Sequence, residues 1–131
     1  MNTAGSVLLD TSAVIPHLRG DAALSARIAQ AASIHIPWVV VGELLFGAHR
    51  AVRPQEALAR VRSFLKIVVL LLPDEGTAES YGFLKAELSR LGKPIPDNDL
   101  WIAAAARQWD LPLATRDAHF AQVPGLQALA W

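Results

Sequence analysis

Apolar residues fall along the chain in short runs separated by stretches of helical spacing. Ser6 to Leu9 is an apolar run that stops at Asp10 and reads as a buried strand. Ala13 to Arg19 reads as a short helix closed by Gly20, with Thr11 and Ser12 available as caps. Asp21 to Ala32 predicts a second helix, and Ile34-His35-Ile36 a second strand before Pro37. Trp38 to Arg50 has helical length, and Pro54 suits the first turn of a helix running to Phe64. Ile67 to Leu72 is apolar at every position, the pattern of a parallel strand covered on both faces. Glu79 to Leu91 places Tyr81, Leu84, Leu88 and Leu91 on one helical face, with Gly92 in the C-cap region and Pro94 beyond. Asn98 to Trp109 is a further helix, apolar all round over Leu100 to Ala106, which predicts a central position with alanines close to the sheet. Leu113-Ala114 is a short strand, Asp117 to Ala121 a turn of helix, and Leu126 to Leu129 an edge strand.

Strands alternating with helices around one core predict an α/β fold, a three-layer α/β/α sandwich with a central, mainly parallel sheet. The pattern shows no internal repeat, linker or charge block, so residues 1–131 are read as one domain. Hydrophobic residues make up 53% and charged residues 18%, which excludes a disordered chain. The absence of cysteine removes disulfide scaffolds, thiolate zinc sites and cysteine nucleophiles, and agrees with a reducing cytoplasm. No apolar run approaches the roughly 18 residues needed to span a bilayer, and MNTAGSVLLD lacks the features of a signal peptide. Twelve basic residues balance twelve acidic ones, so a nucleic-acid partner must meet a local patch rather than a global field.

The acidic residues narrow the chemistry. In a parallel α/β sheet, ligands sit beyond the carboxyl ends of the strands. Asp10 lies there after the first strand, and Asp117 lies just beyond Leu113-Ala114. Asp97 and Asp99 open the apolar helix, where acids complement the helix dipole. Two helical positions two apart diverge by roughly 200°, so one is expected to cap, Asp97, while the other, Asp99, faces the strand ends. Glu43 stands among apolar and glycine neighbours, an unfavourable setting for an unpaired charge. Gly47, one turn on, leaves room above that carboxylate or serves close helix packing. Four acids from four distant segments repel unless a cation joins them. Hard oxygen ligands of this kind select Mg²⁺ or Mn²⁺, which points to phosphodiester chemistry.

Leu8-Leu9-Asp10-Thr11-Ser12, Gly42-Glu43-Leu44-Leu45-Phe46-Gly47, Pro94 through Ala103, and Thr115-Arg116-Asp117-Ala118-His119-Phe120 resemble the four acidic motifs of PIN-domain ribonucleases. The match is to the VapC type of bacterial type II toxin–antitoxin systems. It runs in order from Val7 to the C-terminus and includes Val123-Pro124-Gly125-Leu126. The resemblance implies an endoribonuclease dependent on Mg²⁺ or Mn²⁺, with Asp10, Glu43, Asp99 and Asp117 as metal-binding acids. It implies that Thr11 or Thr115 supports the water at the metal, and it leaves Asp97 as an accessory residue. It also implies a homodimer, inhibited by a cognate antitoxin whose C-terminal segment fills the groove. Arg116 and Lys93 flank the acidic motifs and are candidate phosphate contacts. His119 reads as packing in a short helix beside Phe120, in preference to a general acid or base.

Other enzyme classes lack their motifs. A haloacid-dehalogenase-like phosphatase needs an acid where Ser12 stands, and Asp10 to Ile15 holds no glycine for a dinucleotide-binding turn. The four histidines make no H-E-x-x-H spacing, and Ser12 has no G-x-S-x-G elbow. The rival from another class is a catalytically silent module of the same fold that binds RNA or protein. Trp38, Phe46, Trp101, Trp109 and Trp131 either fill the core or leave apolar surface for a dimer or an antitoxin.

Overall fold

The protein is described over residues 5–131 of a computed structural model; the first four residues of the N-terminal segment read above lie outside the described residues. Among the described residues, five strands form one sheet: β1 (Ser6–Leu9), β2 (Ser33–Pro37), β3 (Val69–Leu71), β4 (Leu113–Thr115) and β5 (Ala128–Ala130). Their order is β3-β2-β1-β4-β5, and every neighbouring pair is parallel. Between them the described residues form the helices α1 (Thr11–Leu18), α2 (Ala22–Gln30), α3 (Trp38–His49), α4 (Pro54–Leu65), α5 (Glu75–Arg90) and α6 (Asp97–Trp109). A single-turn 3₁₀ segment, Ala118–Gln122, joins β4 to β5.

The strand order fixes where a site can form. From β1 the chain winds outward through β2 to β3, then returns across the sheet to β4 on the other side of β1. Right-handed crossovers therefore send α1 to α4 over one face and α5 and α6 over the other, the three layers expected from the sequence. The reversal lies between β1 and β4, registered Leu8 to Leu113 and Leu9 to Ala114. A crevice opens at the carboxyl edge of such a switch point. Asp10 leaves β1 into it, and Thr115 ends β4 beside it.

The central elements are apolar because they are covered. Leu8, Leu9, Leu113 and Ala114 are fully buried, and so are Ala103 and Ala104 of α6. The alanine-rich segment thus sits where its sequence placed it, its small side chains letting the helix approach its neighbours. Helix α5 begins a turn earlier than its periodicity suggested. Asp74 accepts from the Thr77 N–H at 3.1 Å while the Asp74 N–H donates to Thr77 Oγ1 at 3.0 Å, a reciprocal cap. At its other end Gly92 adopts φ +67°, the left-handed turn that closes a helix.

The reading of Ile67 to Leu72 requires correction. Only Val69–Leu71 forms a strand, and it is the edge of the sheet rather than a strand covered on both faces. Leu70 is 47% exposed and Ile67 70%. An unbroken apolar run has the same sequence signature whether a helix of the same chain covers it or nothing does. The aromatic residues also leave surface: Trp38, Phe46 and Trp109 are exposed, and Trp101 and Trp131 are only partly covered.

Close packing around α6 sets a test of this architecture. Ala103→Leu forces three extra heavy atoms into a fully covered position and should cost about 1–3 kcal/mol of stability. Urea denaturation followed by circular dichroism would read this as a lower midpoint; an unchanged midpoint would mean that α6 is not packed as described.

Candidate metal centre at the strand ends

Asp10 is the N-cap of α1, where its carboxylate is held by local geometry. Its Oδ1 accepts from the Ala13 N–H at 3.2 Å. Ser12 Oγ lies 2.9 and 3.0 Å from its two oxygens, and Thr115 Oγ1 donates to Oδ2 at 2.7 Å. Both hydroxyls are themselves aimed by backbone: the Arg116 N–H donates to Ser12 Oγ and the Asp117 N–H to Thr115 Oγ1, each at 2.9 Å. With their lone pairs engaged, the two hydroxyl protons turn toward Asp10. This network ties the end of β1 to the end of β4 and leaves Asp10 only 4% exposed. Burial pushes its carboxyl above the usual range, and the hydroxyl and backbone donors only partly reverse that effect.

Glu43 enters from α3, half-buried, and accepts from Thr11 Oγ1 at 2.7 Å. Asp99 enters from the first turn of α6. Its carboxyl is also raised, first by burial and then by Asp117, with Glu43 and Asp10 adding to the repulsion and His119 opposing it. Asp117 caps the 3₁₀ turn by accepting from the His119 N–H at 2.9 Å. Asp99 therefore feels the charges of Asp10, Glu43 and Asp117, and Asp10 that of Asp117. Among the described residues, no lysine or arginine forms an ion pair with any of these four.

Several other candidate residues take different roles. Asp97 does not cap α6: Pro96 holds the N-cap position, and no side chain bonds there. Asp97 turns outward and accepts from Tyr81 Oη at 3.0 Å and Lys85 Nζ at 3.3 Å, which holds its carboxyl below the usual range. Tyr81 is oriented for this by stacking on Trp101, centroid to centroid 3.9 Å. Thr11 and Thr115 donate their hydroxyl protons to Glu43 and Asp10 and so orient these carboxylates. Arg116 is tied to Asp21 at 3.0 Å and to the Trp131 carbonyl at 2.8 Å, which engages part of its guanidinium. Lys93 is exposed in the turn after α5.

Two residues escaped the sequence reading. Ser12 bridges Asp10 to the chain after β4; a hydroxyl two residues beyond a strand-end Asp was the available signal. His119 was expected to pack beside Phe120, yet the neighbours part ways: Phe120 is fully buried while His119 is exposed. Its Nδ1 lies 3.1 Å from Asp117 Oδ1 and 3.8 Å from Asp99 Oδ2.

The donors suit a hard divalent cation. They are mostly carboxylate oxygens without thiolates, and the Asp10 and Asp99 carboxyls are raised, with only His119 acting against the shift at Asp99. Asp99, Asp117 and His119 each offer one atom within 4.8 Å of the others.

Comparisons with known proteins converge on one family. The model of the PIN domain matches residues 7–126. Ribonuclease VapC2 of Haemophilus influenzae is 33% identical over 127 residues, covering 95% of this chain and 96% of that protein. DNA-bound VapBC from Salmonella typhimurium superposes with a TM-score of 0.89 at 27% identity, covering 95% and 96% of the two chains. VapBC-5 from Mycobacterium tuberculosis, a member of the VapBC family of toxin-antitoxin systems, gives 0.78 at 27%, covering 97% and 99%.

Crowded like charges make the site costly in the absence of metal. A raised carboxyl pKa means the folded state binds protons more readily than the unfolded chain, so stability falls as pH rises from the model-peptide value through the raised one. Neutralising Asp99 should therefore stabilise: Asp99→Asn is expected to raise Tm at pH 7 in EDTA by a few degrees, and by less near pH 4. Calorimetry across that range checks it; a lower Tm at pH 7 would refute the electrostatic account.

Proposed function

The chain belongs to the PIN domain family, and on that premise we propose that it is an Mg²⁺- or Mn²⁺-dependent endoribonuclease, the toxin of a type II toxin–antitoxin pair. The observation that carries this reading is that Asp10, Glu43 and Asp117 all act on the Asp99 carboxyl at the switch point, while among the described residues no lysine or arginine pairs with any of the four. Its relatives, a ribonuclease and the toxin chains of VapBC assemblies, support the substrate class and the antitoxin partner.

Asp10, Glu43, Asp99 and Asp117 would hold the ion. Bound there, a divalent cation supplies Lewis acidity toward a phosphate oxygen and acidifies water. The chain's own part is positioning. Ser12, Thr115 and the Ala13 N–H keep Asp10 in one rotamer, and Thr11 does the same for Glu43. Four bare carboxylates repel a phosphodiester backbone, so RNA can approach only once this charge is offset.

Partner binding draws on the apolar surface. Trp38 and Phe46 on α3, with the open β3 edge, supply area for a homodimer or for the apolar side of an antitoxin segment. No helix of the described residues is long and apolar enough to cross a membrane; a cytoplasmic setting, where RNA and antitoxin are found together, fits this reading.

Cleavage of a single-stranded RNA should stop in EDTA and return with Mg²⁺ or Mn²⁺. Asp10→Asn and Asp99→Asn should each slow it on the order of a hundredfold or more. Mn²⁺ should also raise the Tm of the parent by several degrees but leave that of Asp99→Asn nearly unmoved. A Tm rise without cleavage of any RNA would favour the silent binding module. Cleavage at the parent rate in EDTA would refute the metal reading outright.

A further inference from the structure

Among the described residues, His119 is the nitrogen donor that lies with Asp99 and Asp117, and the local fold aims it there. The 3₁₀ turn begins with Asp117 accepting from the His119 N–H at 2.9 Å, which fixes the backbone of both residues. Fully buried Phe120 anchors the turn, so the preceding side chain must point out of the core and over the strand ends. Nδ1 then comes within 3.1 Å of Asp117 Oδ1 and 3.8 Å of Asp99 Oδ2, and the three groups lie within 4.8 Å of one another. Donors at about 2.1 Å from an octahedral ion stand about 3.0 Å apart when adjacent and about 4.2 Å when opposite. The His119 separations fall inside that range.

We infer that His119 is a direct ligand of the divalent ion through Nδ1, so that this site takes Mn²⁺ in preference to Mg²⁺. The inference rests on the metal-dependent reading above and adds a nitrogen donor to its set of acids. Imidazole nitrogen suits transition metals, whereas Mg²⁺ is held by carboxylate, carbonyl and water oxygens. Replacing the imidazole therefore removes more affinity for Mn²⁺ than for Mg²⁺. The competing account is an Asp117–His119 pair in which the ring merely orients the carboxylate; losing it would then weaken both ions alike.

Two measurements on the full chain separate these accounts, with Mn²⁺ and Mg²⁺ as the probes. Electron spin-echo envelope modulation of protein-bound Mn²⁺ should show nitrogen-14 coupling from a coordinated imidazole, absent in His119→Ala. Calorimetric titration should show His119→Ala weakening Mn²⁺ on the order of tenfold or more, with a clearly smaller change for Mg²⁺. His119 is exposed, so the variant should show the parent's circular dichroism spectrum in EDTA, which establishes that it folds. Bound Mn²⁺ without nitrogen coupling, or equal losses for both ions, would overturn the role of His119 and leave the acidic metal site standing. Failure of the parent to bind either ion would overturn both.

Discussion

Carboxylates that repel one another are held together here by the pairing of β1 with β4, and the site depends on that pairing. Registering Leu9 against Ala114 brings Asp10 and Asp117, over a hundred positions apart in the chain, to the same edge of the sheet. The Thr115 hydroxyl, donating to Asp10 across that junction, converts the backbone register into a fixed side-chain geometry. Packing of apolar Leu8, Leu9, Leu113 and Ala114 supplies the favourable free energy, and the charge crowding takes some of it back. On the proposed reading, a cation seated among these acids would offset that repulsion.

Much of this could be read before any coordinates. The alternation of strand and helix gave the layers, and the strand-end rule pointed to Asp10 and Asp117. Asp99 was separated from Asp97 by helix geometry, and its partner indeed turned away, though toward Tyr81 and Lys85 rather than into a cap. What stayed hidden depended on which groups meet across the sheet. No local pattern says that Ser12 receives the Arg116 N–H, or that Arg116 is already engaged by Asp21 and the chain end. His119 was misread because adjacency to a buried phenylalanine was taken as sharing its environment, when a tight turn sends neighbours in opposite directions.

The apolar excess had the same ambiguity. Residues 67 to 72 looked like a covered strand, yet Ile67 and Leu70 are exposed, as are Trp38 and Phe46 on α3. A toxin kept silent by a partner needs such a surface near its site. Trp38 begins the helix that carries Glu43, so a partner seated there would lie within a few turns of the acids.

The central claim is that carboxylates from both sides of the β1–β4 junction share one divalent ion. Anomalous diffraction from a crystal soaked in Mn²⁺ tests it most directly. The account predicts a manganese peak at about 2.1–2.3 Å from oxygens of Asp99 and Asp117, within reach of Asp10 or Glu43 directly or through water. Full occupancy of manganese elsewhere on the chain, with no peak between those acids, would contradict it.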